Sequence, residues 1–222
     1  MNIIITGASR GIGFETAKLL ASVDAHKVIA ISRSAEKNKL QNIISIPFDF
    51  ENGNIARDLL PKIQKYFSQV DVLINNAAAF LKDPFEKISR KDFEKIFSVN
   101  VFAIAELTQA ILPLMKNGHV LNIASMGGIQ GSVKFPGLSA YSSSKGALIT
   151  LTECLAEEYK QKNIRFNAIA FGAVQTEMLA AAFPSFKAPM TAAQAAEFVS
   201  YFALNGQKYF NGKILQMALS TP

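Results

Sequence analysis

Tyr141 and Lys145 lie four residues apart in the run Tyr141-Ser142-Ser143-Ser144-Lys145. On a helix that spacing is one turn, so the two side chains project from the same face. A neutral phenol is a poor base near neutrality, because its reference pKa is about 10. A lysine ammonium beside it favours the phenolate and makes reversible proton transfer more accessible. The chemistry expected of the pair is general acid–base work; packing on a helix face is the plainer alternative.

A second constellation is the turn Thr6-Gly7-Ala8-Ser9-Arg10-Gly11-Ile12-Gly13, placed between an apolar run and a helical pattern. Glycines there allow tight backbone geometry and let a pyrophosphate approach the amino end of a helix, where free N–H groups and the dipole favour an anion. The spacing differs from the common G-x-G-x-x-G fingerprint, and a plain strand-to-helix turn is the other reading. The next apolar run ends in Ile29-Ala30-Ile31-Ser32-Arg33-Ser34, with no acidic residue before Glu36. An NAD-preferring site would place an acid there for the adenosine ribose, roughly 20 residues after the glycine turn. Arg33 instead suits a 2′-phosphate, with Arg10 and the hydroxyl of Ser32 or Ser34 assisting. NADP(H) is thus the expected dinucleotide, unless Arg33 is only a solvated residue after a strand.

These residues need a scaffold, and the apolar pattern supplies one. Short apolar runs at 2–6, 28–31, 43–46, 70–74, 119–124, 164–170 and 214–217 read as strands. Between them, apolar residues at helical spacing mark helices: Ile12, Ala17, Leu19, Leu20 and Val23 in the first, then Ile55, Leu59, Leu60, Ile63 and Phe67. Longer helices are expected over 93–115, 141–160 and 191–204, with Pro113 in the last turns of the first of these. The strand runs are apolar throughout rather than alternating, which suits strands covered on both faces. The order predicts an α/β fold, a single-domain, Rossmann-like doubly wound parallel sheet of about seven strands flanked by helices, spanning 1–222. Residues 127–138, glycine-rich and aperiodic, are expected to form a loop over the carboxyl edge of the sheet.

Composition narrows the function classes. The chain has 222 residues, of which 50% are hydrophobic, enough for a substantial core. No tract has the length and apolar purity expected of a membrane span, and the first strand starts too early to leave room for a leader, so a cytoplasmic protein is expected. The one cysteine, Cys154, excludes an intramolecular disulfide and falls at a position suited to core packing. With His26 and His119 as the only histidines, a clustered histidine metal site is not expected; both read as ordinary polar residues beside strands. The net charge of +6 comes from dispersed lysines interleaved with acids rather than from a basic run. No nucleic-acid function is expected from that pattern.

Taken in order, the glycine turn, Asn75-Asn76-Ala77-Ala78, Asn100, Ser125 and Tyr141-Ser142-Ser143-Ser144-Lys145 resemble the short-chain dehydrogenase/reductase family over nearly the whole chain. Each short motif is weak alone; the ordered set is specific. The resemblance implies reduction of a ketone or aldehyde, or oxidation of the corresponding alcohol, with Tyr141 as proton donor. It gives Ser125 the substrate oxygen, Lys145 the nicotinamide ribose hydroxyls, and Asn100 a water and proton relay through Lys145. A kink or an inter-segment hydrogen bond is the simpler reading of Asn100. Besides Gly7, Ser9, Arg10, Gly11, Ile12, Gly13 and Arg33, the implied cofactor positions are Asp49 and Phe50 at the adenine, Asn75 and Ala77 along the cofactor, and Ile169 and Thr176 on the nicotinamide side. Core packing for Ile169 and helix capping for Thr176 are the alternatives. A homodimer or homotetramer through the helices at 93–115 and 141–160 is also implied.

Two departures bear on the substrate. Phe171-Gly172 stands where the family places Pro-Gly, and its ring is a candidate wall of the carbonyl pocket. The loop between Ser125 and Tyr141 is long and the segment from 176 to 191 short, so Met178, Leu179, Phe183, Phe186 and Met190 divide between substrate cover, core and oligomer contact. A catalytically silent dinucleotide-binding regulator or sensor is the alternative function.

Overall fold

The computed structural model describes residues 1–34 and 42–219. Glu36 and the tail at 220–222 lie outside the described residues. In chain order the elements are β1 (Asn2–Thr6), α1 (Gly11–Ala21), β2 (Lys27–Ser32), β3 (Ile43–Pro47), a π-helical turn Ile55–Leu59 leading into α2 (Leu60–Gln64), and β4 (Val70–Asn75). There follow α3 (Arg90–Phe97), a second π-helical turn Ser98–Phe102, α4 (Ala103–Ile111), β5 (Met115–Ser125), α5 (Ser139–Glu158) and β6 (Arg165–Phe171). The last part comprises β7 (Val174–Gln175), α6 (Glu177–Ala182), β8 (Met190–Thr191), α7 (Ala192–Asn205) and β9 (Ile214–Met217).

Seven strands form one parallel sheet in the order β3-β2-β1-β4-β5-β6-β9, and β7 and β8 form a separate small pair. This is the doubly wound α/β sheet that the apolar runs predict. Within β1, Ile3 and Ile5 enter the core on one face while Ile4 enters the core on the other. Successive strand side chains point to opposite faces, so a run apolar throughout requires cover on both. The chain turns from building outward through β2 and β3 to building outward through β5 and β6 at the junction of β1 and β4. A crevice at the carboxyl ends of these strands is where such a sheet takes a ligand. Pro47 has no N–H to give a neighbour and sits in β3, on the sheet edge.

Four expectations need correction. Leu19 and Val23, counted among the apolar residues of the first helix, are exposed; α1 buries Thr16, Ala17, Leu20 and Ala21 instead. Cys154 is exposed rather than packed, because it lies on the outward face of α5. His119 lies within β5, as the run 119–124 predicts, but is fully buried and hydrogen-bonded rather than an ordinary polar residue beside a strand. The continuous helix Arg90–Leu114 is long and apolar enough, by length and composition, to cross a membrane. Its apolar character has a local cause: Ile96, Ile104, Leu107 and Ile111 are buried in the protein. The helix ends as Pro113 predicts, and Met115 belongs to the following strand.

Candidate active site

Polar cross-links hold α5, which carries Tyr141 and Lys145, against the sheet. Asn75 donates to Asn122 Oδ1 at 2.9 Å and to Thr108 Oγ1 at 3.3 Å, and Asn122 in turn donates to Thr152 Oγ1 at 2.8 Å. The four side chains are buried and connect α4, β4, β5 and α5 in a line. A buried amide without a partner is costly, so this chain of bonds fixes the register of α5 on the sheet. The loop leaving β5 is drawn close to the same helix. A Cβ on Gly128 would lie 2.6 Å from the Lys145 carbonyl carbon and 2.7 Å from the Gly146 nitrogen, so only glycine admits this approach. Ser125 is thereby brought to the Tyr141 hydroxyl.

Ser125, whose Oγ accepts from the Gly127 N–H at 3.2 Å, lies beside the Tyr141 hydroxyl. The Tyr141 ring meets the Phe80 ring at 4.8 Å between centroids. Lys145 is only 2% exposed; its ammonium donates to the Ile123 carbonyl at 2.8 Å and lies 5.8 Å from the Tyr141 ring centroid. Burial raises the phenol to about 12, with the neighbouring Ser125 pulling the other way, and lowers the lysine to about 8. Burial is the leading influence on the phenol in this structure and holds it protonated.

Asn100 sits in the π-helical turn between α3 and α4, the kind of local widening that re-aims a side chain. Its amide exchanges two hydrogen bonds with the Ala79 backbone, at 2.7 and 3.0 Å, and donates to Ser144 Oγ at 3.0 Å. The structure thus places it one residue from Lys145, through Ser144, and realises the kink and the inter-segment bond.

The glycine turn is pinned from β4. Thr6 Oγ1 accepts from the Asn76 and Ala77 N–H groups, and the Asn76 amide donates to the carbonyls of Thr6 and Gly7. Gly7 has φ +68°, and a Cβ on Gly13 would lie 2.3 Å from Asn76 Nδ2 and 2.5 Å from the Gly7 oxygen. Asn76 and Thr6 are site-building residues that stand inside the two motifs but received no role of their own from the sequence. A cavity of about 520 Å³ opens between Ser9, Arg10 and Gly11 on one wall and Thr176, Glu177 and Ala180 on the other. Thr176 also caps α6, accepting from the Leu179 N–H at 3.2 Å. A tight glycine cradle at the amino end of α1, opening on a cavity, fits the phosphates of a dinucleotide.

The other expected cofactor positions divide. Arg33 and Arg10 are exposed, Arg10 lining the cavity at the glycine turn, and Ser32 Oγ is already engaged with the Ser34 carbonyl at 2.9 Å. Asp49 accepts from Asn52 and from the Glu51 N–H, and these bonds, with the nearby Arg33 charge, hold it below the usual carboxylate range. Phe50, Ala77 and Asn75 line one narrow crevice with Thr6, but the Asn75 amide is turned into the sheet–helix network. Ile12 is half-buried and packs on the core, and Ile169 is fully buried there. Phe171, expected at the carbonyl pocket, is corrected: its ring packs in the same core with Ile123, Ile169 and Met190. Phe80 is the aromatic residue that meets Tyr141. Among the described residues no cluster of His, Cys, Asp and Glu could hold a metal ion.

Residues 1–185 match the short chain dehydrogenase family. The ketoacyl reductase HetN of Nostoc is 35% identical over 189 residues, covering 79% of this chain and 64% of HetN. Gluconate 5-dehydrogenase of Gluconobacter oxydans is 33% identical, covering 79% of this chain and 72% of its own length. The chain thus spans under two thirds of HetN. A short-chain dehydrogenase of Burkholderia cenocepacia in complex with NADP superposes with a TM-score of 0.85 at 25% identity, over 97% of this chain and 95% of that one. The chain belongs to the short-chain dehydrogenase family, a family of dinucleotide-dependent oxidoreductases.

Proposed function

We propose that the protein is an NADP(H)-dependent oxidoreductase that reduces a ketone or aldehyde, with Tyr141 as the proton donor. The observation that carries this reading is the juxtaposition, at the carboxyl edge of the sheet, of the half-buried Tyr141 beside Ser125 and the buried Lys145 one helical turn on. When bound, the nicotinamide supplies the hydride. Ser125 orients the carbonyl oxygen, and Tyr141 delivers its proton as negative charge develops there. Burial keeps the phenol protonated, which is the state a donor needs; the Lys145 ammonium then steadies the phenolate left behind. Lys145 also holds the nicotinamide ribose, and Asn100, through Ser144 and the Ala79 backbone, fixes the surroundings of that lysine. Arg33, with Arg10, favours the 2′-phosphate and hence NADP(H) over NAD(H).

The same reading takes residues 1–222 as one dinucleotide-binding catalytic domain, working in the cytoplasm as a homodimer or homotetramer. Exposed Phe102, on the helix expected at the interface, supports the assembly. The test is consumption of NADPH and of NADH by purified protein against a panel of ketones and aldehydes. Tyr141→Phe should lower turnover by about 100- to 10,000-fold, the range for removing a general acid, while NADPH still binds. Undiminished turnover in that variant would remove Tyr141 from the chemistry.

A further inference from the structure

The segment between β7 and β8 is held at its base. Val174 pairs with Met190 and Gln175 with Thr191, and the Gln175 side chain accepts from the Ala188 N–H at 2.8 Å. The excursion from 176 to 189 therefore starts and finishes at one point, with α6 forming one wall of the cavity that faces the glycine turn. Its remaining hydrogen bonds are internal, among them Phe183 N–H to Leu179 and Phe186 N–H to Phe183. Among the described residues, one hydrogen bond ties the far end to the rest of the protein. Lys82 donates to the Ala182 carbonyl at 3.1 Å, and its ammonium stands 3.9 Å from the Phe183 ring centroid.

Lys82 belongs to a short loop whose neighbours reach the catalytic pair. Phe80, two residues before it, lies against the Tyr141 ring. Ala79 is bonded to Asn100, and the Asp83 N–H donates to the Gly137 carbonyl in the loop after β5 at 3.0 Å. No carboxylate pairs with Lys82 among the described residues, so its charge is directed at the flap alone.

We propose that Lys82 is a positioning residue: it latches the tip of the 176–189 flap to the loop that packs on Tyr141, and so sets how long dinucleotide and carbonyl are held together in the closed site. This rests on the reading of the protein as a dinucleotide-dependent reductase. A flap fixed at its base, where Ala188 is buried, and tethered at its tip by one hydrogen bond opens at that tip by losing the tether. The carbonyl terminates α6, where a cation is favoured, and the aromatic face adds a second contact.

The test is Lys82→Met, which keeps the stem and removes charge and donors, beside Lys82→Arg, which keeps both, and Lys87→Met as an exposed lysine outside the latch. Chymotryptic cleavage after Phe186 in the dinucleotide-free protein, and the dissociation rate of NADPH followed by its fluorescence, should each rise about fivefold in Lys82→Met, the scale of one exposed cation–aromatic contact. Lys82→Arg should restore both, and Lys87→Met should match wild type. With turnover, Lys82→Met should raise KM for the carbonyl and leave the single-turnover rate at saturation unchanged. Equal cleavage and equal NADPH release in wild type and Lys82→Met, or the same rise in Lys87→Met, overturns the latch. Failure of wild type to bind any dinucleotide would sink the functional reading instead, and cleavage at Phe186 would still decide the latch.

Discussion

Burial acts on Tyr141 and Lys145 in opposite directions, because it penalises the charged form of each: the phenolate in one, the ammonium in the other. The phenol at about 12 keeps its proton across the working range, whereas the lysine at about 8 is the group that changes state within it. Lys145 carries its charge below that value and loses it above. Reduction should therefore hold steady up to about pH 8 in kcat/KM for NADPH and then fall, by about tenfold per unit once the ammonium is the minor form. Lys145→Arg, whose guanidinium stays charged beyond pH 12, should move the falling limb upward; a limb that stays in place belongs to another group. Arg33 offers a second test at this scale. Removing a charge-assisted contact to a 2′-phosphate costs about 1.5–3 kcal/mol, so Arg33→Ala should lower the ratio of kcat/KM for NADPH over NADH by at least about tenfold. An unchanged ratio would leave Arg33 a solvated residue at the end of β2.

Between elements, the site depends on how closely the loop after β5 can lie on α5. Gly128 touches helix backbone with no space for a Cβ, whereas a Cβ on Gly146 would meet only the Gly128 oxygen at 3.5 Å, an ordinary contact. The two glycines, adjacent across one interface, should thus respond oppositely. Gly128→Ala should lower stability by about 1–3 kcal/mol through overpacking and reduce turnover by shifting Ser125. Gly146→Ala, in a helix interior, should be neutral or stabilising by up to about 1 kcal/mol. Thermal unfolding with kinetics checks both, and equal tolerance at the two positions would mean that the loop yields. Neither glycine could be ranked from the sequence, because crowding is a property of the packed interface and not of residue type. The elements themselves were legible for the opposite reason: β9 falls at 214–217 as its apolar run predicts, and the capping box of Thr191 and Gln194 starts α7 where the helical period begins. The π-helical turns at 55–59 and 98–102 were not legible, since a five-residue widening barely disturbs that period. Phe80 and Lys82 escaped notice because they follow the Asn75–Ala78 motif in a stretch with no period of its own.

Across the whole molecule, the sheet order gathers the glycine turn, Ser125 and the flap at one edge, and the opposite end of the sheet must hold that edge rigid. His119 does part of this. Its Nδ1 faces the Ala203 carbonyl at 2.9 Å, which can only accept, so the ring proton belongs on Nδ1 and Nε2 accepts from the Asn167 amide at 3.1 Å. The other Asn167 N–H goes to the Phe210 carbonyl, and its oxygen accepts from the Lys213 N–H. One buried imidazole thereby joins β5, β6, α7 and the entry to β9. A proton added at Nε2 would confront an N–H of Asn167 that has no other acceptor, and burial lowers the histidine from 6.5 to about 4. With the folded value below the unfolded one, the unfolded chain binds more protons between them, so stability is complete above pH 6.5 and declines as pH falls toward 4. The loss should reach about 3 kcal/mol. This window lies above that of Asp49, Asp58 and Asp92, whose hydrogen-bonded carboxylates titrate below 3.8, so the histidine can be read separately. Urea unfolding should show a lower midpoint at pH 4.5 than at pH 7.5, and in His119→Gln, which has no titrating ring, that difference should shrink even if the variant is less stable at both. A difference that persists in full would place the acid sensitivity elsewhere and leave His119 a purely geometric link between the strands.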